Sequence, residues 1–160
     1  MCVVDLKFNK TLLPKLEKVV IAGEVLTNDL VYTLYNRFEG LHIINGYGPT
    51  EATVLITAVE IDKKMCEEIS PLPIGYPMEN AKIVFQDDAG KELSDGERGE
   101  LVVIGDIVSP GYYKNAELSE KVFGTIEIEG KIKRFYKTGD LAYIKEGLVY
   151  YCGRKDFQIN

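Results

Sequence analysis

The apolar and polar positions of this chain fall into two textures. Lys18-Val19-Val20-Ile21-Ala22 is a short β-branched run closed by Gly23, the pattern of a strand covered on both faces. Thr27 suits the N-cap of a helix from about Asn28 to Phe38, in which Leu30, Val31, Leu34, Tyr35 and Phe38 recur at helical spacing and Gly40 marks the stop. Leu41 to Ile44 is a second apolar run. Strand, helix and strand within about thirty residues predict a βαβ unit, its two strands parallel and its crossover right-handed. Val54 to Ile61 then predicts a further strand, and Asp62 to Ile69 a short helical or irregular segment. Residues 70–77 predict a loop stiffened by Pro71, Pro73 and Pro77.

Past residue 78 the period shortens. Lys82 to Gln86, Gly99 to Gly105, Lys131 to Tyr136, Leu141 to Ile144 and Leu148 to Tyr151 read as short strands, with a turn at Asp87-Asp88-Ala89-Gly90. Asn115 opens a brief helix over Ala116 to Val122. The expected fold class is therefore α/β: residues 1–77 form the end of a parallel βαβ sheet region, and residues 78–160 a small, mostly antiparallel sheet or distorted barrel.

Composition narrows the function. A chain of 160 residues with 46% hydrophobic and 28% charged content is one globular domain, or a domain and part of another. Its net charge of -6 argues against nucleic acid as a partner, because that affinity rests on Lys and Arg neutralising many phosphates. Cys2, Cys66 and Cys152 are odd in number, widely separated and without a C-x-x-C pair, which points to reduced thiols and away from zinc. No apolar run approaches the roughly 18 residues of a membrane span, and the start lacks the pattern of a signal peptide, so the expected location is cytoplasmic.

The densest binding chemistry lies in Asn45-Gly46-Tyr47-Gly48-Pro49-Thr50-Glu51, which combines permissive glycines, a rigid proline, an aromatic face, a hydroxyl and a carboxylate. If the two βαβ strands are neighbours, Ala22-Gly23-Glu24 emerges at the same sheet edge, where open α/β folds place their ligand crevice. The same glycines also suit plain strand-ending turns. Asp140, in Thr138-Gly139-Asp140, can accept both hydroxyls of a ribose diol, and Arg154, in Gly153-Arg154-Lys155-Asp156, can reach phosphate or ribose oxygens. His42, the only histidine, sits in an apolar run and reads as structural. Lys131, Lys133, Arg134 and Lys137 alternate with Ile132 and Phe135 as on the wet face of a hairpin; a docking patch for an acidic partner is the lesser alternative.

Taken in order, Ala22-Gly23-Glu24, Asn45 with Tyr47-Gly48-Pro49-Thr50-Glu51, Gly99-Glu100-Leu101, Gly111-Tyr112, Tyr136-Lys137-Thr138-Gly139-Asp140 and Gly153-Arg154 with Asp156 resemble the adenylate-forming enzymes. That superfamily comprises acyl-CoA synthetases, luciferases and peptide-synthetase adenylation domains. The resemblance runs from about residue 18 to the end. Within it, Met1-Cys2-Val3-Val4-Asp5, Gly23-Glu24-Val25-Leu26, Leu72-Pro73-Ile74-Gly75 and Asp156-Phe157-Gln158-Ile159 look most like the branch that activates D-alanine for teichoic acid esterification.

The resemblance implies ATP and Mg²⁺ as cofactors, and D-alanine and a D-alanyl carrier protein as partners. Tyr47 would stack on adenine, while Asn45 and the backbone around Gly23 would read its exocyclic amine. Thr50 would bond the α-phosphate and Glu51 would hold Mg²⁺. Asp140 and Arg154 would take the ribose and phosphate, and Asp156 would be the hinge of a C-terminal lid. Ala22 stands where that branch usually carries a cysteine at the amino-acid pocket, and Asn160 where it carries a lysine. A Gly-rich phosphate loop and the lid's catalytic lysine would lie outside these 160 residues. The expectation is therefore an internal piece of a longer ligase that does not adenylate alone. The alternatives are a nonribosomal peptide synthetase domain for another amino acid, or a non-catalytic nucleotide-binding module.

Overall fold

The structure, a computed structural model, describes residues 5–79 and 81–155. Strand β1 (Lys18–Ile21) leads through helix α1 (Asn28–Arg37) to strand β2 (His42–Tyr47), and β1 and β2 pair in parallel with Ile21 opposite Asn45. Thr27 Oγ1 accepts the Leu30 N–H at 3.3 Å, satisfying a donor that the first helical turn leaves open. The spacing Val31, Leu34, Phe38 buries one face of α1 against Ile43, Val59 and Ile61. Gly40 turns the chain at φ +73°.

β2 continues through Asn45, Gly46 and Tyr47, so half of the glycine-rich stretch is strand. Strand β3 (Thr57–Glu60) returns antiparallel to β2, and strand β4 (Tyr76–Pro77) completes a sheet of order β1-β2-β3-β4. Only the β1–β2 pair is parallel. β3 is shorter than the pattern predicts because Thr53 and Val54 take positive φ, outside the extended region that a side-chain-bearing strand residue adopts. Helix α2 (Lys63–Glu68) forms behind Asp62, whose carboxylate accepts the Met65 N–H at 2.6 Å. β1 is an edge strand, and Val20 is 58% exposed, so the expectation of cover on both faces fails there.

The second sheet is antiparallel: strands β5 (Lys82–Gln86), β6 (Gly99–Ile104), β7 (Phe123–Ile128), β8 (Lys131–Lys145) and β9 (Leu148–Arg154). Their order is β5-β6-β8-β7, with β9 also on β8, and the sheet does not close into a barrel. Helix α3 (Ala116–Val122), capped by Asn115, precedes β7. Two corrections to the sequence pattern appear here. β7 is an additional strand, paired with β8 from Phe123 opposite Tyr136 to Ile128 opposite Lys131. The runs 131–136 and 141–144 are one strand, β8, joined through Thr138-Gly139-Asp140. At that tripeptide the register against β6 jumps between Glu100 and Val102, a bulge that re-aims the backbone without ending the strand.

The two sheets are sewn together at Gly75. The Ile74 N–H donates to the Val149 carbonyl at 2.8 Å, and the Val149 N–H donates to the Gly75 carbonyl at 2.9 Å. Beneath this junction Ala52 and Ile56 share a core with Phe85, Leu101, Val103, Tyr136 and Val149. Gly75 lies at φ +120°, and a Cβ there would fall 2.3 Å from the Ala58 backbone. Gly75→Ala is therefore expected to cost about 2–3 kcal/mol through strain and overpacking. Gly90→Ala, at φ +80° but with nothing within 4 Å, should cost about 1 kcal/mol. Urea denaturation of the two variants checks the difference.

Candidate functional site

A cavity of about 400 Å³ opens where the β1 and β2 ends of the first sheet meet the β8–β9 end of the second. Gly23 and the residues after it form one wall, Asn45 to Pro49 the floor, Pro71, Leu72 and Ile74 a side, and Asp140, Tyr151 and Arg154 the far wall. The βαβ topology brings the first two elements together, as the parallel register requires. The junction at Gly75 supplies the rest.

Asn45 is buried, and its Nδ2 donates to the Pro73 carbonyl at 2.7 Å, which pins the amide and leaves Oδ1 as the acceptor end. The Tyr47 hydroxyl donates to Asp140 Oδ2 at 2.5 Å, a bond between residues far apart in sequence that closes the cavity between the sheets. Burial, then the Asp140 charge beside it, pushes the Tyr47 hydroxyl well above the usual tyrosine range. Tyr151, tilted against Tyr47 with ring centroids 6.3 Å apart, is raised for the same two reasons.

Asp140 is the hub. Its backbone N–H donates to Thr138 Oγ1 at 3.0 Å, and that hydroxyl donates to the Leu101 carbonyl at 2.8 Å. Arg154 Nη1 reaches the Thr138 carbonyl at 2.9 Å and Asp140 Oδ1 at 3.4 Å. Asp140 and Arg154 are cross-strand partners in β8 and β9, so their meeting is a matter of register. Gly139, at φ +71°, lies against the guanidinium: a Cβ there would be 3.2 Å from Arg154 Nη2.

The glycines of the floor have a different reason from the one the sequence suggests. A Cβ at Gly46 would meet Leu55 Cδ1 at 2.4 Å, and one at Gly48 the Val54 carbonyl oxygen at 2.5 Å. Their missing side chains admit the Val54–Leu55 segment rather than a ligand. Gly23 meets nothing within 4 Å, and its φ of +85° is what calls for glycine.

Thr50 and Glu51 begin a single 3₁₀ turn, Thr50–Ala52, and neither lines the cavity. Thr50 is exposed. Glu51 is held at both ends: Tyr112 donates to its Oε1 at 2.6 Å, and the Ser109 N–H donates to its carbonyl at 2.8 Å. Burial pushes the Tyr112 hydroxyl up, with the Glu51 bond adding to it. Ala22 is exposed and also outside the cavity lining, and Asp156 lies outside the described residues. His42 is well removed in role, its Nδ1 lying 2.6 Å from Glu60 Oε1 at the surface. Tyr151 and the Pro71–Ile74 wall are cavity residues that the sequence reading missed. The adjacent Tyr150-Tyr151 pair, which a strand must send to opposite faces, was the available signal for Tyr151.

Among the described residues no three His, Cys, Asp or Glu side chains cluster for a metal. No helix of the described residues is long and apolar enough to cross a membrane.

Two sheets meet over a cavity whose lining offers the aromatic rings of Tyr47 and Tyr151 and the opposite charges of Asp140 and Arg154 to a small molecule. The sequence pattern described as AMP-binding enzyme matches residues 2–113, and the chain belongs to that family. Its relatives include the D-alanine--D-alanyl carrier protein ligase of Bacillus mycoides (strain KBAB4), 40% identical over 159 residues, with 99% of this chain and 31% of the relative covered. The ligase of the same name from Bacillus cereus (strain G9842) matches to the same extent. This chain thus spans 31% of the length of these curated relatives. Among solved structures, an NRPS protein containing adenylation and PCP domains superposes with a TM-score of 0.82 at 28% identity, over 96% of this chain and 31% of its own. The Klebsiella oxytoca NpsA N-terminal subdomain in complex with 3-hydroxybenzoyl-AMSN gives 0.72 at 27% identity, over 86% and 35%.

The raised hydroxyls set a pH dependence. A tyrosine whose folded-state pKa lies above its unfolded value contributes stability that is whole below about pH 10 and is lost as pH rises beyond it. Tyr47 and Tyr136 are both raised, chiefly by burial. Urea midpoints should therefore fall above pH 10. Tyr47→Phe should lower stability by about 1–3 kcal/mol at neutral pH, by removing a partner from the nearly buried Asp140, and should make the alkaline fall shallower.

Proposed function

We propose that this chain is a portion of an ATP-dependent ligase that activates D-alanine as its adenylate and transfers it to the phosphopantetheine thiol of a carrier protein, for D-alanylation of teichoic acids in the cytoplasm. The observation that carries this reading is the convergence of Gly23, Asn45, Tyr47, Asp140 and Arg154 on one cavity from four places in the chain. The names of its relatives supply the amino acid and the carrier. On this reading residues 1–77 end the large nucleotide- and substrate-binding region, and residues 78–160 form the small β region leading to a lid hinge at Asp156.

Each residue then has a task. The Tyr47 ring, held by its bond to Asp140, packs on the adenine, and the Asn45 Oδ1, the acceptor end of a pinned amide, takes the exocyclic amine. Asp140 retains lone pairs for the ribose diol beside its bonds to Tyr47 and Arg154, since an ionised carboxylate accepts about four hydrogen bonds. Arg154 places positive charge next to the phosphate side. Thr50 donates its hydroxyl to the α-phosphate, and Glu51, oriented by Tyr112, holds Mg²⁺. The metal supplies positive charge against the phosphate oxygens. An oxygen of the amino-acid carboxylate bonds to the α-phosphorus as the bond to pyrophosphate breaks; the carrier thiol then takes the acyl group and AMP leaves. The protein's share is positioning and electrostatics.

Ala22 favours a second reading, a peptide-synthetase adenylation domain for another amino acid, because it alters the side chain that the D-alanine branch places at the amino-acid pocket.

Pyrophosphate exchange by the protein of the full natural reading frame, run against a panel of amino acids, separates the readings. D-alanine-dependent exchange is expected. Asp140→Asn should raise the KM for ATP about tenfold, and Glu51→Gln should lower kcat about a hundredfold. Exchange with another amino acid but not D-alanine would favour the second reading; exchange with none would leave only a binding module.

A further inference from the structure

Glu100 belongs to the Gly99-Glu100-Leu101 stretch, to which the reading above gives no task. It lies on β6 at the register jump opposite Thr138-Gly139-Asp140. Its side chain is only 15% exposed, and both carboxylate oxygens are engaged. Oε1 accepts the Gly139 N–H at 3.1 Å, and Oε2 lies 3.3 Å from Lys155 Nζ. Lys155 also reaches Asp88 Oδ1 at 2.7 Å, in the turn that leads β5 toward β6. One carboxylate therefore grips the residue before Asp140 with one oxygen and the residue after Arg154 with the other.

The grip has a purpose that the backbone itself makes plain. A bulge leaves an N–H without its ladder partner, and at the half-buried Gly139 that donor is partly cut off from water. Glu100 fills that need for Gly139, while the Arg154 guanidinium covers the same glycine from the other side. Without Glu100, Gly139 at φ +71° has freedom to rotate its flanking peptides, and Asp140 turns with it. Lys155 performs the matching service on β9. Its tie to Glu100 and Asp88 fixes the end of the strand that carries Arg154.

We propose that Glu100 is a positioning residue for nucleotide binding, holding Asp140 and Arg154 in the cross-strand arrangement that receives the ribose and its phosphate. The inference rests on the reading of the cavity as a nucleotide site. Glu100 touches no substrate on this account, and acts through the Gly139 N–H and Lys155.

The test uses the protein of the full natural reading frame, with AMP binding followed by calorimetry and KM values for ATP and D-alanine from pyrophosphate exchange. Glu100→Ala should weaken AMP and raise the KM for ATP about tenfold, leaving the KM for D-alanine within twofold. Glu100→Gln, which keeps an acceptor for Gly139 but loses the charge facing Lys155, should recover most of that loss. Lys155→Met should show a smaller shift of the same kind. Asp140→Asn separates the failures. If it weakens AMP while Glu100→Ala and Glu100→Gln leave AMP affinity within twofold, the positioning role is overturned and the nucleotide site stands. If Asp140→Asn has no effect on AMP, the site reading falls and the proposal falls with it. Should Glu100→Ala not fold, a Glu100→Gln or Lys155→Met protein that melts like wild type yet shifts both KM values together would equally overturn it.

Discussion

The cavity depends on the two backbone hydrogen bonds between the Ile74–Gly75 segment and Val149, which hold one sheet against the other. Neither sheet forms the cavity alone. The first contributes the Gly23 wall and the Asn45–Pro49 floor, and the second contributes the acid and the guanidinium. Gly75 can make that junction because it has no side chain to meet Ala58. The shared core of Ala52 and Ile56 with Leu101, Val103 and Val149 then excludes water from beneath the contact, which strengthens each polar interaction above it.

Tyrosine hydroxyls face carboxylates twice, Tyr47 toward Asp140 at the cavity and Tyr112 toward Glu51 outside its lining. Each pair keeps the phenol protonated and the carboxylate oriented, so the acids are held in place without a full counter-charge. Arg154, at 3.4 Å from Asp140, is the looser partner. A carboxylate held mainly by a neutral donor keeps its negative charge available to an incoming hydroxyl or cation. One fully neutralised by a bidentate guanidinium would not.

Local features were legible in the sequence. Thr27, the Val31-Leu34-Phe38 spacing and Gly40 specify α1 by themselves, and Asp62 and Asn115 cap the helices that follow them. The residues singled out in the sequence form an ordered series of short motifs; Gly23, Asn45, Tyr47, Asp140 and Arg154 meet at one cavity, while Ala22, Thr50 and Glu51 lie outside its lining. What was not legible depends on register. Thr138-Gly139-Asp140 reads as a turn because glycine and aspartate end strands more often than they bulge them, and only the pairing with β6 and β9 decides otherwise. β7 was hidden because Gly124 interrupts its alternation just after a helix. The exposure of Val20 reflects what lies beside β1 in space, which no local pattern records.

β8 carries one further consequence. Its 15 residues run from the Glu129–Gly130 turn through the bulge at Thr138-Gly139-Asp140 to Lys145. Side chains from Lys131 to Lys137 alternate between faces, so loss of one residue there would put that stretch out of step with its partners on β6 and β7. The turn before the strand can change length without that penalty. The chain therefore separates a hairpin tip free to vary from a strand whose residue count fixes its register against two neighbours.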